Sequence, residues 1–321
     1  MSRSLLEKAV SMMRNFRLPM RFTIFQDSRQ GDRQGNEDRI GYSYSRDVLL
    51  MTVADGMGGH IDGEVAAEIA VTEITRRFQH EARQMLKKPV DFLVSAIHSA
   101  HRAIVSHAVE HNLLECPRTT CVACIVQGGR AYWAHAGDSR LYVLRRGTVV
   151  TATQDHSRVQ QMIDAGEITE EAAARHPDRN KIYSCLGGVV PPQITTGKEL
   201  ALEAGDTILL STDGFWSQIP ASILGTMLRK QTVVELMPGL LSEAHRRAKG
   251  ESDNLSVVAM TWENQDDTRI ADTSNLDNEQ FATSANTTQQ LDVPTAAEEV
   301  TDDDIERAIA EIQDAIRKVP R

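Results

Sequence analysis

The pattern of apolar and polar positions divides the chain near Glu263. Before this residue, short apolar runs alternate with turn residues, whereas residues 264–300 are largely polar and lack periodic apolar positions. Such a segment buries too little apolar surface to offset its chain entropy, so we predict a disordered acidic and polar linker there. Four isoleucines between Ile305 and Ile316 then recur at helical spacing. They predict a short amphipathic helix over residues 301–321, which is either a frayed tail or a docking element.

The first twenty residues have a separate pattern. Apolar residues between Leu5 and Phe16 are interrupted by charges such as Glu7 and Lys8, so the segment lacks the unbroken apolar core of a signal peptide. We predict an amphipathic N-terminal extension over residues 1–20, followed by one folded domain at residues 21–263.

Within that domain, runs of β-branched and aromatic residues predict eight strands. Two longer segments whose apolar residues recur at helical spacing predict two helices. The predicted strands are Arg21–Asp27, Arg39–Ser45, Val48–Ala54, Thr119–Gln127, Arg130–Ala136, Ser139–Arg145, Thr207–Ser211 and Leu255–Trp262. The predicted helices are Gly63–Leu86 and Pro89–Asn112. Short turns between consecutive strands favour antiparallel hairpins, and strands and helices come in separate blocks. The pattern predicts an α+β fold, an antiparallel β-sandwich flanked by helices, and disfavours a doubly wound parallel sheet.

Composition narrows the class of protein. The 321 residues are 41% hydrophobic and 25% charged, as in globular proteins, and the formal net charge of −10 disfavours a broad nucleic-acid surface. No apolar run approaches the roughly 18 residues that a membrane span requires. Four cysteines in so long a chain do not form a disulfide framework, so we expect a cytoplasmic protein.

Acidic residues recur at the ends of the predicted strands. They are Glu37, Asp38, Asp55, Asp138, Asp213 and Asp253. A carboxylate at the end of a buried strand is unfavourable unless it is paired or bound to a cation. Their recurrence predicts a cluster at one mouth of the sheets, where oxygen ligands would suit Mg2+ or Mn2+. The alternative from the pattern alone is that each acid is a turn residue or a solvated strand end.

The glycine-rich stretch after Asp55 permits close approach of a ligand to the backbone. Asp55–His60 contains Gly56, Gly58 and Gly59, but Ile61 stands where a dinucleotide-binding G-x-G-x-x-G motif requires its third glycine. The stretch therefore disfavours a dinucleotide site.

Together with these acids, a set of short motifs in fixed order resembles the type 2C family of metal-dependent serine/threonine phosphatases, and the bacterial members in particular. The motifs are Arg33–Asp38, Ala54–His60, Gly63–Glu64, Thr119–Thr120, His135–Arg140, Thr153–His156, Asn180–Gly187, Ser211–Gly214 and Asp253–Asn254. The resemblance covers about residues 21–262. It implies two Mn2+ or Mg2+ ions, with a possible third, and direct in-line attack on phosphorus by a metal-bridging hydroxide without a phosphoenzyme.

The resemblance also implies ligand roles. Asp55 would bridge two ions, and the carbonyl oxygen of Gly56 would bind one of them. Glu37 would serve the second ion, and Asp213 with Asp253 would serve the first.

Four further roles follow from the same resemblance. Asp38 would hold a metal-bound water, or would support the metal ligands without contacting an ion itself. Asp138, with Asp213, resembles the pair that holds a third, weaker ion. Arg33 matches the arginine that grips the substrate phosphate, for which a planar guanidinium is suited. His60 would be the general acid for the leaving alkoxide, or would instead orient a carboxylate or a water.

Two features stand apart from these roles. Arg118 replaces the glycine usual in the family, and adds a cation near the mouth that either alters substrate preference or points to solvent. The segment from Ser157 to Glu170 resembles the mobile flap of bacterial members, with helix, turn and a second helix start at Thr169. It is either a substrate-selecting lid or an ordinary surface insertion.

Cysteines and histidines supply two patterns that we interpret as structural. Cys116, Cys121, Cys124 and Cys185 have the spacing of an iron–sulfur site, but the middle pair lies in a β-rich run, which favours buried thiols. The pair His107 and His111, at i,i+4 spacing on a predicted helix, has no neighbouring carboxylate motif.

Three functions remain open from the sequence. The first is an active serine/threonine phosphoprotein phosphatase, acting on phosphorylated proteins that are substrates of a kinase in the same cell. The second is a non-catalytic module of the same fold that binds phosphoproteins, and the third is a hydrolase of small phosphate esters. We expect a monomer with no nucleic-acid partner and no membrane span.

Overall fold

The computed structural model describes residues 20–57, 63–173, 175–263 and the strand at 282–284. In chain order, the strands are β1 (Phe22–Arg29), β2 (Asp38–Tyr44), β3 (Val48–Met57), β4 (Arg118–Thr119), β5 (Cys121–Gln127), β6 (Arg130–Ala136), β7 (Arg140–Arg145), β8 (Thr148–Ala152), β9 (Leu186–Gly187), β10 (Thr195–Thr196), β11 (Leu200–Ala201), β12 (Thr207–Ser211), β13 (Leu255–Trp262) and β14 (Ala282–Ser284). The helices are α1 (Gly63–Glu81), α2 (Pro89–Glu110), α3 (Arg158–Asp164), α4 (Glu170–Ala173), α5 (Asp213–Trp216), α6 (Ala221–Leu228) and α7 (Val233–Arg247).

Two antiparallel sheets pack face to face. The first has the order β1-β13-β12-β7-β8, and the second has the order β10-β6-β5-β3-β2-β14, with β11 on β6. A short extension, in which β4 pairs with the end of β3 and with β9, continues the second sheet. The predicted α+β sandwich flanked by helices is confirmed.

Strand β3 shows how the sequence specifies four layers. Its odd-numbered residues, such as Leu49 and Met51, pack between the two sheets against Val258 and Met260 of the first sheet. Its even-numbered residues, such as Leu50, pack against α1 and α2 on the other face. Because side chains alternate along a strand, an unbroken apolar run is buried on both faces. The first sheet is covered in the same way by α6 and α7.

The predicted boundaries differ from the observed ones where side chains intervene. Helix α1 ends at Glu81 and not at Leu86, whose backbone N–H and carbonyl are both bonded by the side-chain amide of Gln127. The predicted strand Thr119–Gln127 divides at Thr120, because the Thr120 N–H bonds to the carbonyl of Asp55 outside the ladder. The helix, turn and second helix predicted after Ser157 are confirmed as α3 and α4.

The predicted linker needs one correction. Ala282–Ser284 form β14 and pair antiparallel with β2, which without them would be the edge strand with unpaired backbone groups. The rest of the predicted linker, the N-terminal extension up to Pro19, the C-terminal helix over residues 301–321, and His60 lie outside the described residues. None of the described helices is long and apolar enough to cross a membrane.

Candidate metal centre

Strand register brings the predicted acids to one mouth of the sandwich. In the first sheet, Ser211 pairs with both Arg140 and Val257, so the ends that carry Asp138, Asp213 and Asp253 lie side by side. In the second sheet, Asp38 and Asp55 are direct partners in the β2–β3 ladder. Like charges in directly opposed positions repel each other, so this pairing is unfavourable without a cation.

Hydrogen bonds join the two sheets at this mouth. Thr212 Oγ1 donates to Asp38 Oδ2 at 2.8 Å and accepts from the Ser256 N–H at 3.1 Å. Thr212 precedes Asp213, so this contact fixes Asp38 of one sheet beside Asp213 of the other. Both bonds use only the hydroxyl group of Thr212, so a serine at this position could form them as well.

Burial and mutual repulsion raise the pKa values of these carboxyl groups. Burial is the largest cause for Asp38, whose pKa is raised to about 7, and for Asp213, whose pKa is raised to about 6. The pKa values of Asp55 and Asp138 are also raised by burial and by repulsion from neighbouring aspartates. Burial likewise raises the pKa of Glu37. The mouth is therefore a site where ionised carboxylates are costly and a bound cation would be favourable.

The loop before β2 carries Arg33 and is held by Asn254. The Asn254 side chain accepts from the Glu37 N–H at 2.8 Å and donates to the carbonyls of Gln30 at 2.7 Å and Gly35 at 2.9 Å. Arg33 Nη2 donates to Asp253 Oδ2 at 2.7 Å, and its guanidinium is largely exposed. The structure thus places the predicted phosphate-binding arginine at the rim of the acidic cluster.

Close backbone packing holds the end of β3. A Cβ on Gly56 would collide with the carbonyl oxygen of Gly63 and would lie 2.7 Å from that of Glu37. The Gly56 N–H also donates to the Glu37 carbonyl at 3.2 Å. The start of α1 therefore crosses directly over Gly56, which explains why glycine is required at both positions.

The donor set fits a hard divalent cation. Carboxylate and backbone carbonyl oxygens predominate, and these are the ligands of Mg2+ and Mn2+. Among the residues that the structure describes, no three acidic, histidine or cysteine side chains already converge tightly enough to enclose an ion. Asp253, for example, is turned to Arg33. The backbone brings the acids to one mouth, but their side chains do not yet converge on a single point.

The structure also locates the remaining features predicted from the sequence. Arg118 is exposed in β4 directly opposite Met57, one residue from Gly56, and its side chain runs along Gly188. All four cysteines are free, with Cys121 and Cys124 buried in β5. His107, in the last turn of α2, and His111, which caps the end of that helix, stack with ring centroids 4.0 Å apart.

One group near the site was not assigned a role from the sequence. Arg140 forms a two-pronged ion pair with buried Asp155 at 2.8 and 2.9 Å, and its guanidinium carbon lies 3.4 Å from the centre of a Trp216 ring. Trp216 Nε1 in turn donates to the backbone carbonyl of Asp138 at 3.0 Å. Arg140 and Asp155 lie within the motifs identified above, but only the fold brings them to Trp216.

The chain is similar to known protein phosphatases. The family model described as protein phosphatase 2C matches residues 26–260. A serine/threonine phosphatase Stp of Listeria innocua is 30% identical over 237 residues, covering 73% of this chain and 93% of the relative.

Solved structures give the same result. The serine/threonine phosphatase of S. agalactiae aligns with a TM-score of 0.69 and 29% identity, covering 76% of this chain and all of that structure. The catalytic domain of the phosphatase PstP, in complex with two manganese ions, aligns with a TM-score of 0.62 and 29% identity, covering 77% of this chain and 99% of that structure.

Proposed function

This chain belongs to the protein phosphatase 2C family and is a serine/threonine protein phosphatase, and we propose that it hydrolyses phosphoserine and phosphothreonine by metal-dependent, direct in-line displacement at phosphorus. The observation that carries the proposal is the crowding of buried and half-buried carboxylates from both sheets at one mouth, with raised pKa values. Such a cluster of carboxylates is unfavourable in a metal-free protein and favourable around divalent cations.

We propose that the residues of the mouth would be divided among two ions and a weaker third. Asp55, whose pKa is raised by burial and by aspartates of both sheets, would be a ligand shared by two ions, and the Gly56 carbonyl and Glu37 would serve one of them. Asp213 and Asp253 are assigned to the other ion. When bound, Mn2+ or Mg2+ lowers the pKa of a coordinated water and offsets the negative charge of the transferring phosphoryl group.

Two more acids complete the assignment. Asp38, hydrogen-bonded to Thr212, orients the attacking water at the junction of the sheets. Asp138, in the turn before β7, and Asp213, just beyond the end of β12, are assigned together to the third ion. His60 remains the proposed general acid for the leaving serine or threonine oxygen.

Arg33 is proposed to bind the substrate phosphate. Asp253 engages Nη2, and among the residues described in the structure no hydrogen bond occupies the other N–H groups, which could form the paired bonds that a phosphate accepts. The exposed guanidinium also lies beside the acids that would hold the ions.

Replacement of Arg33 with alanine should therefore raise the KM for a phosphothreonine peptide by about tenfold, the effect of losing one charged hydrogen-bonded contact. Steady-state kinetics with Mn2+ would measure this. The matched control is Arg29→Ala, which removes an arginine that pairs with Asp27 on β1 and should leave KM unchanged. Equal effects of the two substitutions would contradict the assignment.

The partners follow from the activity. We propose phosphorylated proteins as substrates, generated by a serine/threonine kinase in the same cell, and a monomeric, cytoplasmic enzyme. Oxygen ligands accept both Mn2+ and Mg2+, so either ion is proposed to support the reaction.

The experiment that tests the proposal compares three substrates and two metal conditions. Phosphate release is measured from a phosphothreonine peptide, a phosphoserine peptide and p-nitrophenyl phosphate, with Mn2+ and with EDTA. Release from the peptides that requires Mn2+ supports the proposal. Efficient hydrolysis of the small ester alone indicates a small-ester hydrolase, and binding of the peptides without release indicates a phosphoprotein-binding module.

Arg118 is proposed to favour acidic substrates. Among the described residues its guanidinium has no ion-pair partner, and its strand neighbours Gly56 through the β3–β4 pairing. Arg118→Gly should raise the KM of a peptide with glutamate beside the phosphothreonine by about three- to fivefold, as expected for an exposed ion pair. The same peptide with glutamine is the control and should be unaffected. Equal changes for both peptides would exclude a charge contact.

A further inference from the structure

We propose that Trp216 is a positioning residue that fixes Asp138 relative to Asp213, and so sets the affinity of the weaker third ion. The inference rests on the function proposed above. Asp138 lies in the turn between β6 and β7, whereas Asp213 is the first residue of the single-turn helix α5. The β7–β12 ladder, in which Arg140 pairs with Ser211, brings these two segments together but ends two residues short of each aspartate. The exact placement of the two carboxylates therefore depends on contacts beyond the ladder.

The Trp216 indole supplies one such contact. Trp216 is the last residue of α5, three positions after Asp213, and its Nε1–H donates to the backbone carbonyl of Asp138 at 3.0 Å. A hydrogen bond to the main chain of a ligand residue restrains the Cα position, and hence the reach of the carboxylate, without occupying the carboxylate itself. Tryptophan can make this bond because its ring spans the gap and ends in a donor.

Arg140 holds the indole in place from the other side. Its guanidinium carbon lies 3.4 Å from the centre of a Trp216 ring, a cation–π contact. The guanidinium is itself immobilised, since it makes two bonds to Asp155 and donates from Nη1 to the Tyr142 hydroxyl at 3.0 Å. The ring therefore has one orientation, with its N–H directed at Asp138.

The same ion pair limits the negative charge near the third-ion site. Asp155 is buried, and its charge contributes to the raised pKa values of Asp138 and Asp213. Two-pronged pairing with Arg140 offsets that charge. Trp216, Arg140 and Asp155 thus form one unit, which we call the indole clasp, beside the two carboxylates and not among the proposed ligands.

Trp216→Phe separates the positioning of Asp138 by the indole N–H from the packing of the aromatic ring against Arg140. Phenylalanine keeps an aromatic ring for Arg140 but lacks the N–H, so the Asp138 carbonyl loses its partner. The matched control is Trp262→Phe at the far end of β13, where the tryptophan is also mostly buried but lies away from the mouth. Asp138→Asn identifies which step of metal binding belongs to the third ion.

The test is a calorimetric titration of the metal-free, full-length protein with Mn2+, together with urea unfolding in EDTA. The step that Asp138→Asn abolishes should weaken about tenfold in Trp216→Phe, which corresponds to about 1.4 kcal/mol, while the tighter steps change less than about twofold. The Mn2+ concentration for half-maximal phosphate release should rise by the same factor, with the peptide KM unchanged.

Two results would overturn the inference. Mn2+ binding by Trp216→Phe that matches wild type at every step would show that the indole does not position Asp138. A loss spread over all steps, in proportion to a fall in unfolding free energy, would show a purely structural role. A wild-type protein that bound no Mn2+ would instead refute the proposed function together with this inference.

Discussion

Asp55→Asn is expected to reduce phosphate release by about a thousandfold while making the metal-free protein more stable. The activity falls because the proposed bridging carboxylate is lost, and with it the charge that holds both ions in place. The stability rises because Asp55 faces Asp38 directly across the β2–β3 ladder, and removal of one of two opposed like charges relieves repulsion on the order of 1 kcal/mol. Phosphate release with Mn2+ and urea unfolding in EDTA measure the two effects.

The pH dependence of unfolding gives the same prediction a second readout. The folded-state pKa of Asp38 is about 7, above the unfolded value of about 3.9, so folding favours the protonated form. The metal-free wild type should therefore gain stability as the pH falls from about 8 through 7 towards 4. Asp55→Asn should show a weaker dependence, because the carboxyl group of Asp55, whose own pKa is raised by burial and by neighbouring aspartates, no longer contributes. Mn2+ should stabilise the wild type most at pH 8, where the ligands are ionised.

Asp206→Asn is the matched control, because it changes a buried aspartate whose charge is already compensated. Asp206 is 1% exposed and makes two bonds to Arg145, at 2.9 and 2.7 Å. Its loss leaves the arginine without its main partner, so we expect destabilisation of about 3 kcal/mol with little change in the kcat of the folded enzyme. If Asp55→Asn also destabilised the metal-free protein, the carboxylates at the mouth would be compensated already and the metal-site assignment would fail.

The strands were predictable because burial on two faces leaves long apolar runs, as in Val48–Val53 of β3. Helix α7 was not predicted, although Val233, Leu236, Leu240 and Ala244 follow a helical period. Pro238 in the middle of the helix obscures that period, because proline normally ends helices. The capping box between Thr232 and Glu235 is the signal that could have identified its start.

The acids of the site were also predictable, but the contacts among them were not. A carboxylate at a strand end can be read from one segment, whereas the pairing of Asp38 with Asp55 depends on the register between two strands. Arg33 and Asp253 are 220 positions apart, and Trp216 and Asp138 are 78 apart. Such contacts follow from how the sheets stack, which the local pattern does not encode.

Gly56→Ala tests whether the end of β3 is part of the site, because it adds steric bulk there without changing any charge. The new Cβ would collide with the carbonyl of Gly63 and approach that of Glu37 to 2.7 Å. Both atoms belong to the backbone and cannot rotate away, so β3 and the start of α1 must separate. We expect a loss of roughly 1–3 kcal/mol in unfolding free energy from overpacking. We also expect an activity loss of about a hundredfold, since displacement of the ligands by about 1 Å disrupts the reacting geometry.

Gly239→Ala distinguishes this effect from a general response to added methyl groups. Gly239 lies in α7, and a Cβ there would meet no atom of the described residues within 4 Å apart from the helix's own backbone. Alanine should therefore stabilise the helix by about 0.5–1 kcal/mol and leave activity unchanged. Urea unfolding and phosphate release from the phosphothreonine peptide, measured at saturating Mn2+, compare the two variants. A Gly56→Ala protein that lost stability but kept wild-type kcat would place the reaction away from the end of β3, because crowding there could not then be displacing the metal ligands.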